Sequence, residues 1–531
     1  MSSPKPFMLP KLPKELRDGI CVHLESDDVK NLRATCSAMA KLIPLSFDRV
    51  FISANSLNLK VFRAIADDES IRHQVTEIVW DDARLSTGPE LEEARNEYEE
   101  DGLAPDDIVT DNGCPRWFRK GLSDYGNPGS YIRPDYLMAV EESWAYYKPL
   151  LEDQRQVLAS DADIEAFKYG LQQFPSLKRI TITPSTHGRI RNPLYRTPMI
   201  RAFPRGFDYP MPTAWPGYTE EVWEPVDVLP WVATNDRPYQ EVYGPDCTVE
   251  AYRAKWRGYR VVTRILAEHD DHHITELYIG GNEVGSGLNC RIFDKHCVEY
   301  EDLVTLLKRP GFRYLNLDLF TGLLECKDWK SYKSGLLHDA LAQAKDLEHM
   351  CFRSTMEING GSSERLDWEK IEKYVFPLRT IFPIDQWPRL RHFGISHMFV
   401  QLDDLMELLS ALPRTLRSVE LSKLAWGSLT HGTRELLHSM RDVLDWRSRP
   451  VEERPNIHMI VSGSPQGDGD KDGWYVEIDE LVYSFIYGEG ENPFTEDPDV
   501  IYPWEGGVRR DIFNPGFKVP HTNENYFLVT M

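Results

Sequence analysis

A pattern of apolar residue, two variable residues, apolar residue, one variable residue, apolar residue returns seven times along the chain. The copies are Val75-Ile78-Trp80, Leu177-Ile180-Ile182, Ile274-Leu277-Ile279, Phe312-Leu315-Leu317, Leu347-Met350-Phe352, Leu390-Phe393-Ile395 and Leu416-Val419-Leu421. The last two positions of each copy stand two apart, the period of a strand with one buried face. Helix-like stretches at 300–308, 334–345, 366–376 and 402–412 separate the later copies. A strand–helix unit of this size cannot bury its apolar side alone, so stacking the units is the economical solution. The fold expected is α/β, an array with a parallel sheet on one side and helices on the other; an unrelated α/β domain is the alternative. From Ile274 onward the copies recur every 26 to 43 residues, close to or beyond the roughly 20–29 of a regular leucine-rich repeat.

Ahead of the array, the periodicity changes. Leu12, Leu16, Ile20 and Leu24 recur every fourth residue, which lines one face of a helix. Pro13 suits a first helical turn, where its missing N–H costs nothing. Ser26 or Asp27 can cap a second helix carrying Val29, Leu32, Cys36 and Met39, and a short third segment follows around 40–45. Three helices this short cannot bury all those side chains against one another. Some of them are expected to meet a partner.

Two insertions interrupt the array. Residues 86–112 carry ten acids and a single Arg, the composition of a solvated loop. Residues 201–246 combine eight prolines with Phe203, Phe207, Trp215, Trp223 and Trp231. Prolines oppose regular structure while the aromatics favour burial. Trp215, Trp223 and Trp231 are therefore candidate substrate-binding anchors, with a loop packed on its own array as the equal alternative. From Ile457 the chain reads as β-rich pieces around a Gly-Asp turn, expected to form a hairpin closing the array. The domains expected are 1–52, a docking module; 53–460, the repeat body with insertions at 86–140 and 183–250; and 461–531, a β-rich closing segment and tail.

Composition narrows the function. The 531 residues include 61 Lys plus Arg against 84 Asp plus Glu, a net charge of −23. Such a surface repels phosphate backbones and anionic headgroups, so neither nucleic acid nor a membrane is an expected partner. The first ten residues lack a signal-peptide build, residue 2 is Ser, and no run approaches 18 apolar residues. The eight cysteines show no framework spacing. An intracellular protein with reduced thiols is expected, in cytoplasm or nucleus.

The N-terminal residues resemble the F-box: Leu12-Pro13, Glu15-Leu16, Ile20, Leu24, Asp28-Val29, Leu32-Arg33 and Cys36, with Met39 where many F-boxes carry an aromatic. The resemblance covers about 40 residues. Together with the degenerate triplets, the chain resembles fungal F-box proteins with poorly conserved leucine-rich repeats. The fold implied is a short three-helix F-box followed by an irregular leucine-rich-repeat-like solenoid with long insertions. The function implied is a substrate adaptor of a cullin-type ubiquitin ligase, bound through a Skp-type linker subunit, with an unknown protein substrate on the repeat body. By position, Leu12, Pro13, Leu16, Ile20, Leu24, Val29 and Leu32 face either the linker or the motif's own core. The alternatives are a scaffold with no part in ubiquitin transfer and, for the helices, a simple cap on the array.

Signals for catalysis are sparse. Gly280, Gly281, Gly285 and Gly287 in GGNEVGSG complete neither a dinucleotide fingerprint nor a phosphate-binding loop. No nucleophile elbow, H-E-x-x-H helix or kinase signature occurs. His269, His272 and His273 are bracketed by acids and read as solvated surface. Cys290 and Cys297 with His296 lack zinc spacing. No enzyme activity, catalytic residue, metal or cofactor is expected.

Overall fold

The structure, a computed structural model, describes residues 9, 12–21, 23–24, 26–43, 47–88, 114–123, 136–188, 192–212, 215–216, 228–233, 248–281, 285–322, 328–355, 373–426, 431–462, 474–494 and 506–520. Each apolar triplet enters a strand of one large sheet. The strands are β1 (Arg49–Ile52), β2 (Glu77–Asp81), β3 (Arg179–Thr183), β4 (Glu276–Ile279), β5 (Leu288–Asn289), β6 (Tyr314–Phe320), β7 (His349–Ser354), β8 (His392–Phe399), β9 (Ser418–Ala425) and β10 (Asn456–His458). They lie side by side in chain order, except that β5 pairs only with the end of β6. Every pairing in this ten-stranded sheet is parallel. The α/β class and the parallel sheet expected from the pattern are both present.

Register explains why the triplets recur. Their seven middle residues form one ladder across the sheet, Ile78, Ile180, Leu277, Leu315, Met350, Phe393 and Val419, which Val50 on β1 and Ile457 on β10 extend at its two ends. Their seven last residues form a second ladder, Trp80, Ile182, Ile279, Leu317, Phe352, Ile395 and Leu421, which Ile52 on β1 extends. All of these side chains are buried, as are the seven residues that open the triplets. Each buried side chain of this kind contributes about 1.5–3 kcal/mol. Helices connect the strands, among them Ser56–Asp67, Arg257–Glu268, Val298–Leu307, Leu402–Ala411 and His431–Val443. Asn55 caps the first of these by accepting from the amides of Leu57 and Asn58. The helix expected at 366–376 lies outside the described residues up to 372. The described end of that stretch is not α-helical, since Val375 forms an isolated bridge with Phe399. The turns that follow, Leu378–Thr380 and Ile384–Gln386, are short 3-10 turns with Pro383 and Pro388 soon after them, where a longer helix would lose a backbone donor.

The two insertions pack on each other. Phe118 from the first and Phe207 and Tyr209 from the second share one apolar cluster with Leu85 and Tyr147, apart from the main core. Tyr146 stands 4.8 Å from Phe207 and Phe203 stands 4.9 Å from it, ring to ring. Phe118, Phe207 and Tyr209 thus find their burial between the insertions, whereas Trp215 and Trp231 enter the main core. The acidic stretch 89–112 lies outside the described residues.

At the N-terminus, α1 (Lys14–Cys21), α2 (Ser26–Ala34) and α3 (Ser37–Leu42) enclose a small cluster of Leu9, Val29 and Ile43. The expected second helix is broken: Cys36 is extended, with φ −165°, and Met39 belongs to α3. At the other end, β11 (Ile460–Ser462), β12 (Trp474–Glu477), β13 (Val508–Asp511) and β14 (Asn514–Pro520) form an antiparallel sheet. The expected hairpin is its β11–β12 pair. The β-rich reading of the stretch from 474 holds for the strand Trp474–Glu477 and is corrected beyond it by a helix at Asp479–Tyr487. Its aromatic and β-branched composition resembles a strand, but the buried Val482, Phe485 and Ile486 recur at helical spacing. No described helix is long and apolar enough to cross a membrane.

Candidate functional site

Strand residues that alternate with the buried ladders emerge on the opposite face of the large sheet. One row there reads Arg49, Glu77, Arg179, Glu276, Tyr314, His349, His392, Ser418 and Asn456. The next reads Phe51, Val79, Thr181, Tyr278, Asn316, Cys351, Gly394, Glu420 and His458. The first half of the leading row is an ion-pair chain. Arg49 Nε donates to Glu77 at 2.7 Å, and Arg179 and Arg313 both meet Glu276, at 2.8 and 2.7 Å. The second half is a stack of rings. The Arg179 guanidinium lies 4.5 Å from the Tyr314 ring centre, Tyr314 stacks on His349 at 4.0 Å, and His349 stacks on His392 at 4.1 Å.

From β4 to β10 this face hollows into a cavity of about 420 Å³, lined by Tyr278, Asp318, Cys351, Arg353, Glu420 and His458 among others. Cys351 Sγ sits 3.2 Å from both His349 Nε2 and His392 Nε2. Burial, then the neighbouring His392 and Arg179, pushes His349 down to about 3. Burial and His458 push His392 down to about 4. Both imidazoles are therefore neutral near pH 7. Burial first, then Glu420 and Asp318, holds the Cys351 thiol well above its ordinary range. A nucleophilic cysteine needs the reverse, an electropositive setting that favours the thiolate. Two neutral imidazoles and one cysteine are a donor set suited to a borderline or soft metal ion, which on binding would displace the thiol proton to solvent. At the rim, His458 Nδ1 lies 2.6 Å from Asp479, whose hydrogen bond raises the imidazole's pKa.

On the N-terminal helices, the seven residues singled out by the F-box resemblance divide by environment. Val29 is buried in the small cluster, and Leu12, Leu24 and Leu32 pack against it. Pro13, Leu16 and Ile20 are exposed. Leu16 is 57% and Ile20 38% exposed, among the most accessible large apolar side chains described.

The candidate anchors in the Pro- and Trp-rich insertion lie elsewhere. Trp215 is buried and donates its indole N–H to Asp82 at 2.8 Å. Trp231 is buried against Trp256 and donates to Glu299 at 3.1 Å. Burial alone would raise the Glu299 carboxyl, but Trp231 and the Arg253 guanidinium hold it low. Their indoles therefore serve the interior of this chain, the packed-loop alternative. Trp223 lies outside the described residues. Of the three histidines at 269–273, His269 and His273 are exposed as expected. His272 is buried, with Nε2 3.0 Å from the Leu266 carbonyl oxygen.

Sequence reasoning passed over His349, Cys351 and His392. The signal was present in the triplet alignment. The residue before the middle apolar position is His in both the Met350 and the Phe393 copies, so aligned strands place the two side by side. No protein-family model matches the chain, and no curated protein matches it.

Proposed function

We propose that the chain is a substrate adaptor of a cullin-type ubiquitin ligase, with residues 12–43 acting as an F-box toward a Skp-type linker subunit. The observation that carries this reading is the exposed apolar stripe of α1, Leu16 and Ile20 beside Pro13. Three short helices that already have a small core of Leu9, Val29 and Ile43 do not need Leu16 and Ile20 inside. Two such side chains left in water, on one helix face, suit a partner's apolar groove.

The body is read as an irregular leucine-rich-repeat-like solenoid. Strands in chain order, β5 apart, and two continuous apolar ladders support that reading, since successive units then pair side by side. Its polar open face, running from the Arg–Glu chain to the stacked rings, is the surface we assign to a protein substrate. The mechanism is positional. Docking holds the chain on the ligase, and the open face holds a substrate where a high effective concentration drives transfer by other subunits. No catalytic residue of this chain is invoked.

Affinity purification with mass spectrometry tests the reading, comparing the intact chain with one lacking residues 1–52. Linker and cullin peptides should accompany the intact bait and vanish with the truncated one. Their absence from both baits, or their presence in both, overturns the docking role.

A further inference from the structure

The thiol and the two imidazoles on the open face are brought together by register, across strands about 4.8 Å apart. His349 and Cys351 are two apart on β7 and so share one face; His392 is the register partner of His349 on β8. Opposite Cys351 in the same register stands Gly394. A Cβ at Gly394 would lie 2.9 Å from Cys351 Sγ and 3.3 Å from His392 Nε2. The missing side chain is what allows the sulfur to lean across β8 between the two rings. Among the described residues, this is the one group of three or more His, Cys and acidic side chains whose donor atoms all lie within 4.8 Å of one another.

We propose that His349 Nε2, Cys351 Sγ and His392 Nε2 form a three-ligand site for a zinc-like divalent cation, with a fourth position open to the cavity. Nitrogen and sulfur donors select zinc and its neighbours over the oxygen-seeking magnesium and calcium. A tetrahedral ion with Zn–S of about 2.3 Å and Zn–N of about 2.0–2.1 Å separates sulfur from nitrogen by about 3.5 Å. The observed 3.2 Å is a few tenths shorter, so admitting the ion requires an outward movement of the sulfur together with a turn of both stacked rings. The imidazole planes lie within 8° of parallel, and coordination turns them toward a common point about their terminal side-chain bonds.

The surroundings fit a cation. His392 Nδ1 lies 2.7 Å from Ser418 Oγ, an outer contact that orients Nε2 toward the sulfur, as in metal-bound histidines. Glu420, the register partner of Gly394, supplies negative charge beside Cys351, as does Asp318, which Arg353 partly offsets at 3.8 Å. With three protein ligands the ion keeps an exchangeable position facing the cavity, available to water, Glu420 or a side chain of a bound protein. The site stands independently of whether the N-terminal helices dock on a ligase.

Cobalt(II) titration of the full-length, chelator-treated chain tests the proposal, because cobalt reports on its ligands. The wild type should bind one equivalent, with a thiolate-to-cobalt charge-transfer band and the visible bands of tetrahedral cobalt, both lost on adding zinc. Cys351→Ser should abolish the charge-transfer band. His349→Ala, His392→Ala and Gly394→Ala, the last removing no ligand, should each weaken binding about tenfold or more, the scale on which displaced supporting groups act. Thermal melts identify any variant that fails to fold, and the comparison is then made with the variants that fold. A wild type with no charge-transfer band overturns the site, leaving a thiol that merely hydrogen-bonds two imidazoles. So does a band that survives unchanged in Cys351→Ser.

Discussion

Leu317→Ala probes the stacked sheet at its centre. Leu317 is fully buried in the second apolar ladder, between Ile279 on β4 and Phe352 on β7. The change removes three carbons; at about 0.8 kcal/mol for each buried methylene, the transfer term alone is about 2.4 kcal/mol. A rigid neighbourhood of buried β-strand residues collapses only partly into the space, and the cavity raises the total to about 2–5 kcal/mol. Equilibrium urea denaturation followed by tryptophan fluorescence reads the loss. The ladder makes a second, sharper demand. Leu317→Ala combined with Phe352→Ala should depart from additivity by about 0.5–3 kcal/mol, because neighbours share one cavity. Combined with Ile52→Ala, four strands and about 19 Å away, it should add within about 0.5 kcal/mol. A single-variant loss below about 1 kcal/mol, or strict additivity for the neighbouring pair, refutes the ladder.

Two further outcomes follow from buried polar contacts. Burial drives the Asp81 carboxyl up to about 7, against the pull of Thr186 and the Ala83 amide and with the help of Asp82. Between an unfolded value of about 4 and that folded value, the native state keeps a proton that the unfolded chain releases. Stability therefore falls as pH rises through this window and levels above it, by at most about 4 kcal/mol at about 1.4 kcal/mol per pH unit. Urea melts at pH 5 and pH 8 should show this slope in the wild type and a flatter one in Asp81→Asn; equal slopes contradict the assignment. Trp231→Ala should cost about 3–5 kcal/mol and leave Glu299 short of a donor, so stability falls before any partner is lost. A normal melt with lost partner peptides would return Trp231 to a recognition role.

What the sequence made legible follows from physics it could express. The seven triplets were readable because a half-buried strand writes a period of two into the chain, and a parallel sheet with in-register neighbours repeats the same offset. The exposed stripe of α1 was readable because Leu12, Leu16, Ile20 and Leu24 are spaced for one helix face. The structure then divided them, with Leu12 and Leu24 packing on Val29 and Leu16 and Ile20 left outside. The helix at Asp479–Tyr487 escaped because Val482, Tyr483, Phe485 and Ile486 carry strand-like side chains, and local composition cannot see the core that selects 482, 485 and 486. The His349–Cys351–His392 group escaped because its members are separated by 43 positions from first to last, beyond any local spacing rule. Only the register of β7 against β8 joins them. The tryptophans of the insertion were ambiguous for a different reason: an indole beside prolines is equally suited to an interface or to a packed loop, and Asp82 and Glu299, which capture two of them, are far away in sequence.

The proposed docking rests on the apolar face of α1, and calorimetry of the full-length chain with a purified Skp-type linker subunit puts it to the test. The wild type should bind. Leu16→Asp combined with Ile20→Asp should bind at least about 100-fold more weakly, about 3 kcal/mol, because both charges would be desolvated in an apolar contact. The melting temperature should hardly change, since both side chains are exposed in the free chain. Equal affinity for wild type and double variant, or no binding by the wild type, would contradict docking through α1.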